Sequence, residues 1–431
     1  MTSFAQQDNI GTTSSTGGND TRGVFESLSK FIKVTDTDES TGLENFCYMS
    51  DPVVSDEEFV ANRNLINDCR GVVFDGKNVV MKAFPYTDEQ GPDINMAGNW
   101  FDNNGGFENC RVFESHEGAL IRMFYFKDKW FITTHRKLNA FKSKWGSDES
   151  YGASFKNALK HQIETNQELR EAISKADTDG NYYDDFKTIL DVKKQYMFLV
   201  RNTHANRLVC NGSVDPTMYH VGTFEDGKLD LDHDIKVNKP TEFRPETVEA
   251  MIDHVNKLNP ADTPGVIIFS NDNRQLKVSS AMYLDMLELR GNQPSVKFRY
   301  LQIRSDERRR GMIHCLYPEH VSGFEEYEEY LRRAVKNIHT AYMDRFIHKK
   351  HVRVSQAEFS VIRVAHDWFM SGRESDGPPC RVTQRVISDI LNLQQATTLN
   401  QIIKKIKHDD HVEMQERVGE NEGVLEPMVM G

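Results

Sequence analysis

Five short segments of the chain hold side chains able to grip a phosphate, donate a proton or attack an electrophile. At Cys69-Arg70-Gly71-Val72-Val73-Phe74 an arginine and a glycine lead into an apolar strand. A guanidinium so placed clamps phosphate through paired hydrogen bonds. At Phe113-Glu114-Ser115-His116-Glu117-Gly118-Ala119-Leu120-Ile121-Arg122 a polar cluster ends in a glycine before a strand. Gly118 would let backbone approach a ligand closely, and Glu117 could accept from a ribose hydroxyl or position a metal. Ser115 beside His116 has the composition of a nucleophile and its base, yet neighbours on a strand point to opposite faces, so the two are not expected to act together. At Thr133-Thr134-His135-Arg136-Lys137-Leu138 and Phe141-Lys142-Ser143-Lys144-Trp145, Arg136, Lys137, Lys142 and Lys144 interleave with Phe141 and Trp145. That mixture suits phosphate contact with base stacking, and equally a solvated basic loop. Asn202–Val209 sets polar groups ahead of a strand. Pro264-Gly265-Val266-Ile267-Ile268-Phe269 and Gln275-Leu276-Lys277-Val278 form two strands around a polar turn, with Lys277 placed to hold a phosphate.

The elements that must position these groups change character once, near residue 318. From 23 to 316 short β-rich runs recur: Gly71–Phe74, Val79–Phe84, Ala119–Phe126, Trp130–Thr134, Tyr196–Val200, Arg207–Cys210, Val266–Phe269 and Gln275–Val278. Asp75-Gly76 between the first two reads as a hairpin turn, and Asn271–Asn273 as a similar one. Residues 151–190 read as a helical insertion. From 317 to 408 the period becomes helical. Leu331, Ala334, Ile338 and Tyr342 share a face, as do Phe359, Ile362, Ala365 and Phe369, then Val386, Ile387, Ile390 and Leu391, then Leu399, Ile402, Ile403 and Ile406. Capping boxes are expected at Ser322/Glu325, Ser355/Glu358 and Thr398/Gln401. Residues 1–22 and the acidic 409–431 read as disordered tails. The fold class is therefore α+β: a core of antiparallel sheets with helices, followed by an all-α domain.

Composition narrows the function classes. The 431 residues carry 65 acidic and 53 basic side chains, a net charge of −12. Contact with nucleic acid must then come from local patches rather than from the overall field. The basic run from Arg332 to Arg353 is one such patch, or the solvated face of a helix. Six single cysteines without CxxC or Cys/His spacing point to a reduced chain and to no metal site. Without an apolar run near 18 residues or a secretory leader, an intracellular chain, cytoplasmic or nuclear, is expected, with no membrane span. P-loop, Rossmann, HExxH and EF-hand patterns are absent.

Taken in order, the Arg70-Gly71 strand, the Glu117-Gly118 strand, Asn206-Arg207, Gly265-Val266-Ile267-Ile268 and Lys277 resemble the ATP-dependent RNA ligase 1 family of bacteriophage type, over residues 60–300. The resemblance implies a covalent nucleotidyltransferase core, ATP and Mg2+ as cofactors, and RNA and nucleotide as partners. It implies that a lysine amine attacks the α-phosphate of ATP and that AMP then passes to an RNA 5′-phosphate, so that RNA ends are joined or repaired through an adenylylated intermediate. Arg70, Glu117, Gly118 and Lys277 would bind the nucleotide, and Arg136, Lys137, Lys142 and Lys144 the RNA. Ser115 occupies the position of the nucleophilic lysine. Val200, Pro264 and Ser279 stand where the family carries two glutamates and a second lysine. Serine requires a base and gives a different intermediate; Lys82, Lys127 and Lys137 are alternative amines. Three readings stay open: an RNA ligase-like enzyme, a pseudo-ligase that binds RNA or nucleotide, and an interaction protein keeping only the fold.

Overall fold

The computed structural model describes residues 21–49, 56–173, 181–373 and 381–422. Contacts divide the chain into two units, Met1–Ala281 and Met282–Gly431. The division falls earlier than the change of texture at 316/317, because the helices Val296–Ile303 and Glu307–Leu316 share cores with the later helices.

The first unit contains three sheets. β1 (Ile32–Asp38), β2 (Leu43–Tyr48), β3 (Arg70–Asp75) and β4 (Asn78–Met81) form an antiparallel meander in chain order. The expected hairpin turn falls one residue later: Asp75 is the last residue of β3, paired with Asn78, and Gly76-Lys77 make the β3–β4 turn, with Gly76 at φ +59°. Phe46, Val72 and Phe74 pack against Phe25, Phe31, Phe59 and Ile66 from flanking helices and loops.

The other two sheets have five strands each. One has the order β11-β10-β9-β7-β8, from β7 (Gly118–Phe126), β8 (Lys129–Thr133), β9 (Gln195–Arg201), β10 (Met218–Glu225) and β11 (Lys228–Asp230). The other has the order β12-β6-β13-β14-β5, from β5 (Asp88–Gln90), β6 (Arg111–Glu114), β12 (Glu242–Phe243), β13 (Gly265–Phe269) and β14 (Gln275–Ser279). Its pairings are antiparallel except β5 with β14. Period-two alternation assigns the faces. Val266, Ile268, Leu276 and Val278 pack on the helices Ile94–Asn103 and Val248–Lys257. Ile267 and Phe269 turn the other way, into a cluster with Phe113, Leu120, Phe124, Met197, Val221 and Phe224. That cluster joins the two five-stranded sheets. The helices Tyr151–Thr165, Gln167–Ile173 and Tyr182–Thr188, within the expected helical insertion, cover the far side of β7 and β9 through Phe155, Leu159, Leu169 and Phe186.

One expected strand is not formed. Arg207–Cys210 is an irregular, bent loop, because the backbone amides of Leu208, Val209 and Cys210 donate to the Glu117 carboxylate and not to a neighbouring strand.

In the second unit the four expected helices are Val321–Tyr342, Gln356–Arg373, Gln384–Asn392 and Ala396–Glu422. Leu331, Ala334, Ile338, Ile362, Ala365, Ile387, Ile390, Leu399, Ile402 and Ile406 form their common core. Of the three capping boxes only Ser355/Glu358 forms: Glu358 accepts from the Ser355 amide at 2.8 Å and its own amide donates to Ser355 Oγ at 3.3 Å. The other two serve no helix start, since the helices begin at Val321, out of a preceding 3-10 turn, and at Ala396. The tail expected from 409 is helical to Glu422, and Asp410 within it accepts from Arg333. Residues 1–20 and 423–431 of the expected tails lie outside the described residues, while Thr21 and Arg22 open a helix. No described helix is long and apolar enough to cross a membrane.

Candidate functional site

A cavity of about 350 Å³ opens between the two five-stranded sheets. Its floor follows from register. Ile267 lies opposite Lys277 and Phe269 opposite Gln275, with Phe113 beside Ile267 and Glu89 beside Lys277. One face of four strands thus presents Phe113, Ile267, Phe269, Gln275, Lys277 and Glu89 to the opening. The facing sheet contributes Gly118, Leu120, Leu199 and Val221, and Arg70, Tyr86, Ser115, His116 and Lys239 complete the lining. Four positions singled out in the sequence, Arg70, Ser115, Gly118 and Lys277, therefore meet at one opening.

The polar groups here are unevenly satisfied. Lys277 Nζ pairs with Glu89 Oε1 at 2.8 Å, and Ser279 Oγ donates to the same oxygen at 2.7 Å. Arg70 Nη1 donates to the Pro85 carbonyl at 3.3 Å, leaving its Nε buried without a partner. Ser115 Oγ, His116 Nδ1, His220 Nδ1 and Gln275 Nε2 are likewise buried and unpartnered, and all five residues line this cavity. A buried polar atom without a partner costs roughly 1–3 kcal/mol, so their gathering in one place is what a site awaiting a polar ligand would carry.

Ser115 and His116 lie past the end of β6, where strand alternation no longer separates them. Both reach the cavity, yet no hydrogen bond joins the hydroxyl to the ring. His116 stacks on Tyr219 with ring centres 4.5 Å apart. Burial, aided by the Arg201 charge, lowers its pKa to about 4, so the ring is neutral at pH 7.

Glu117 is placed differently from the sequence expectation. It is 7% exposed. Its Oε2 accepts from the Leu208 amide at 3.0 Å and its Oε1 from the Val209 and Cys210 amides at 2.8 and 3.1 Å. The carboxylate fixes the loop after β9 rather than facing the cavity. Gly118 is needed for a protein contact as well: a Cβ there would stand 2.3 Å from the Val200 carbonyl oxygen.

Of the basic segment, Lys137 pairs with Asp36 at 3.3 Å and Lys144 with Asp148 at 3.1 Å. Lys142 is exposed beside a separate depression that also contains Asp36, Asp38 and Lys129, and Arg136 is exposed next to His135. None of the four lines the inter-sheet cavity. The alternative amines do not line it either: Lys82 pairs with Asp68, Lys127 with Asp75 and Lys137 with Asp36. The lysines that do line it are Lys239 and Lys277.

Arg122 joins the strands beneath Arg70. It is fully buried, and burial lowers its pKa to about 9, so it remains charged at neutral pH. Nη1 donates to the carbonyls of Gly71 at 2.5 Å and Arg70 at 3.3 Å, Nη2 to the Thr134 carbonyl and to Asn45 Oδ1 at 3.4 Å, and Nε to Thr133 Oγ1 at 3.2 Å.

Among the described residues no group of three or more His, Cys, Asp or Glu side chains is gathered to hold a metal. The cavity carboxylates are Glu89, engaged by Lys277 and Ser279, and Glu114. The described residues therefore build no magnesium cage of their own.

Sequence reasoning missed Glu89, Gln275 and Lys239. β5 is three polar residues with no strand signature, and only its parallel pairing with β14 brings Glu89 to the floor.

No protein-family model matches the chain. It is 31% identical over 403 residues to the immediate-early protein ICP-46 homolog of Invertebrate iridescent virus 6, covering 88% of this chain and 84% of that protein. It is 25% identical over 340 residues to the homolog of Invertebrate iridescent virus 3, covering 78% and 71%. Immediate-early protein ICP-46 of Frog virus 3 (isolate Goorha) is 24% identical over 247 residues, covering 54% and 58%. Among solved structures, a putative ATP-dependent DNA ligase from Aquifex aeolicus overlaps 72% of this chain and 75% of its own, at 10% identity and a TM-score of 0.36. An archaeal ATP-dependent RNA ligase overlaps 67% and 66%, at 13% identity and a TM-score of 0.33.

Proposed function

The chain belongs to the ICP-46 family of viral immediate-early proteins, and we propose that its first unit is the nucleotide-binding core of an RNA ligase-like protein, with ATP as the nucleotide and RNA ends as the substrate. The observation that carries this reading is the cavity that unites Arg70, Ser115, Gly118 and Lys277 between two sheets. Phe113, Ile267, Phe269, Leu120, Leu199 and Val221 offer apolar surfaces to a flat base. Arg70 and Lys277 offer charge to its phosphates. Magnesium would enter with the triphosphate, held mainly by phosphate oxygens and water. The exposed cations Arg136, Lys142 and Lys144, with half-exposed Lys137, would meet the RNA backbone.

Calorimetric titration with ATP in magnesium tests the core of the proposal. Saturable binding that weakens at least tenfold in Lys277→Met and in Arg70→Ala supports it; absence of binding to the wild-type chain removes it and leaves an interaction protein as the reading.

A second reading, a binding protein without ligation, is favoured by Ser115. Adenylylation needs a nucleophile whose attack forms a new bond to the α-phosphorus while pyrophosphate leaves. At Ser115 the hydroxyl is buried, and no base is hydrogen-bonded to it. Intact-mass spectrometry after incubation with ATP and magnesium separates the two: a gain of one AMP supports the ligase, and nucleotide binding without mass gain supports the pseudo-ligase. Salt-dependent RNA binding weakened by Arg136→Ala and Lys137→Ala is expected in either case.

A further inference from the structure

We infer that Gln275 selects the base of the bound nucleotide by donating a hydrogen bond from its amide to an acceptor on the base edge. The inference rests on the nucleotide reading above and specifies its deep end. Gln275 is 5% exposed. Its Oε1 accepts from Thr87 Oγ1 at 2.7 Å, which fixes the amide plane and leaves Nε2 as the free group. That nitrogen has no partner, and both residues line the cavity.

Position along β14 separates its task from that of Lys277. The two side chains share a face and stand about 7 Å apart along the strand. The Lys277 end holds the charged groups, with Glu89 and Ser279 bonded together there. At the Gln275 end, Phe269 lies directly across the β13–β14 ladder, with Phe84 and Phe113 at ring distances of 5.7 and 5.8 Å. A nucleotide whose phosphates reach Lys277 therefore brings its ring to the aromatic end. An uncharged amide donor there is matched by a ring nitrogen or a carbonyl oxygen. A base with a mismatched edge leaves the donor buried and unpaired, which is how a buried polar group rejects a wrong ligand.

The test titrates ATP, GTP, CTP, UTP and 7-deaza-ATP into the wild-type chain and into Gln275→Met and Gln275→Glu, with thermal melts to check folding. Wild type is expected to prefer one base at least tenfold. Gln275→Met should flatten that preference while keeping binding of the triphosphate, and Gln275→Glu, which replaces the donor by an acceptor, should weaken the preferred nucleotide further. Thr87→Val, which frees the amide to turn, should loosen the preference in the same direction, and it stands in should Gln275→Met fail to fold. Loss of affinity for 7-deaza-ATP identifies N7 as the acceptor; unaltered affinity with base preference retained assigns another acceptor to the same amide. An unchanged order of preference in the Gln275 and Thr87 variants overturns the inference while nucleotide binding survives. No binding by wild type overturns the underlying reading instead.

Discussion

Replacing Arg122 by methionine should unfold the support beneath Arg70. Methionine fills much of the volume but donates nothing. The guanidinium meets five acceptors, and two of these contacts, to the carbonyls of Gly71 and Thr134, are the short ones. Each buried carbonyl left without its donor costs about 1–3 kcal/mol, which puts the two short contacts at about 2–6 kcal/mol. The three longer contacts add to this, and removing the charge returns a comparable amount, because burying a guanidinium carries its own desolvation cost. The expected net loss is about 4 kcal/mol, a large share of the 5–15 kcal/mol typical of a domain. Hydrogen exchange read by mass spectrometry on peptides covering β2, β3 and β8 is the assay. At roughly tenfold per 1.4 kcal/mol, protection there should fall by about three orders of magnitude. Arg122→Lys, which keeps charge but not the fork, should fall between the two. A loss below about 1 kcal/mol in Arg122→Met would refute the reasoning, since it would mean that the carbonyls find other donors.

Three further outcomes are expected. Gly71→Ala should destabilise the first unit by about 2 kcal/mol or more in urea unfolding, because Gly71 sits at φ +77° and a Cβ would lie 2.5 Å from both Arg122 Nη1 and the His135 carbonyl. Glu89→Gln should tighten ATP several-fold in calorimetry, opposite in sign to Lys277→Met, because it removes the carboxylate competing for the Lys277 ammonium; weaker binding would contradict this. Burial lowers the pKa of His220 to about 3, with the Lys239 charge adding to it. Its folded value lies below the unfolded one, so the unfolded chain binds the extra proton as pH falls below about 6.5. Stability should drop by about 2 kcal/mol from this group between pH 6.5 and 5, and His220→Phe should remove that part of the slope in denaturant titrations.

Much of this was readable in the residues themselves. Lys277, Arg70 and Ser115 each border an apolar run that reads as a strand, and it is the order of those runs, through the family resemblance it carries, that ties the three to one site. The four C-terminal helices were visible because sets such as Leu331, Ala334 and Ile338, or Leu399, Ile402, Ile403 and Ile406, recur at helical spacing within one element and bury together. Groups whose roles depend on distant partners were not visible. Glu117 reads as a ligand until the amides of Leu208, Val209 and Cys210 are seen around it. Glu89 has no local signature, because its position depends on β5 joining β14 in parallel, and Gln275, which opens an expected strand, gains its role only from the Thr87 hydroxyl 188 residues away. The Ser322 and Thr398 capping patterns misled because a helix start depends on the residues before it, and there the chain was already turning.

That parallel joint has a kinetic corollary. Thr87 and Gln275 are 188 residues apart, and Glu89 and Ser279 are 190 apart. During synthesis the early half of this floor must wait until β14 has left the ribosome before it can close. Contacts of such long range form late and slowly. Competence to hold a ligand should therefore arise in a single step near the end of folding, and a nascent chain released before residue 279 should have none.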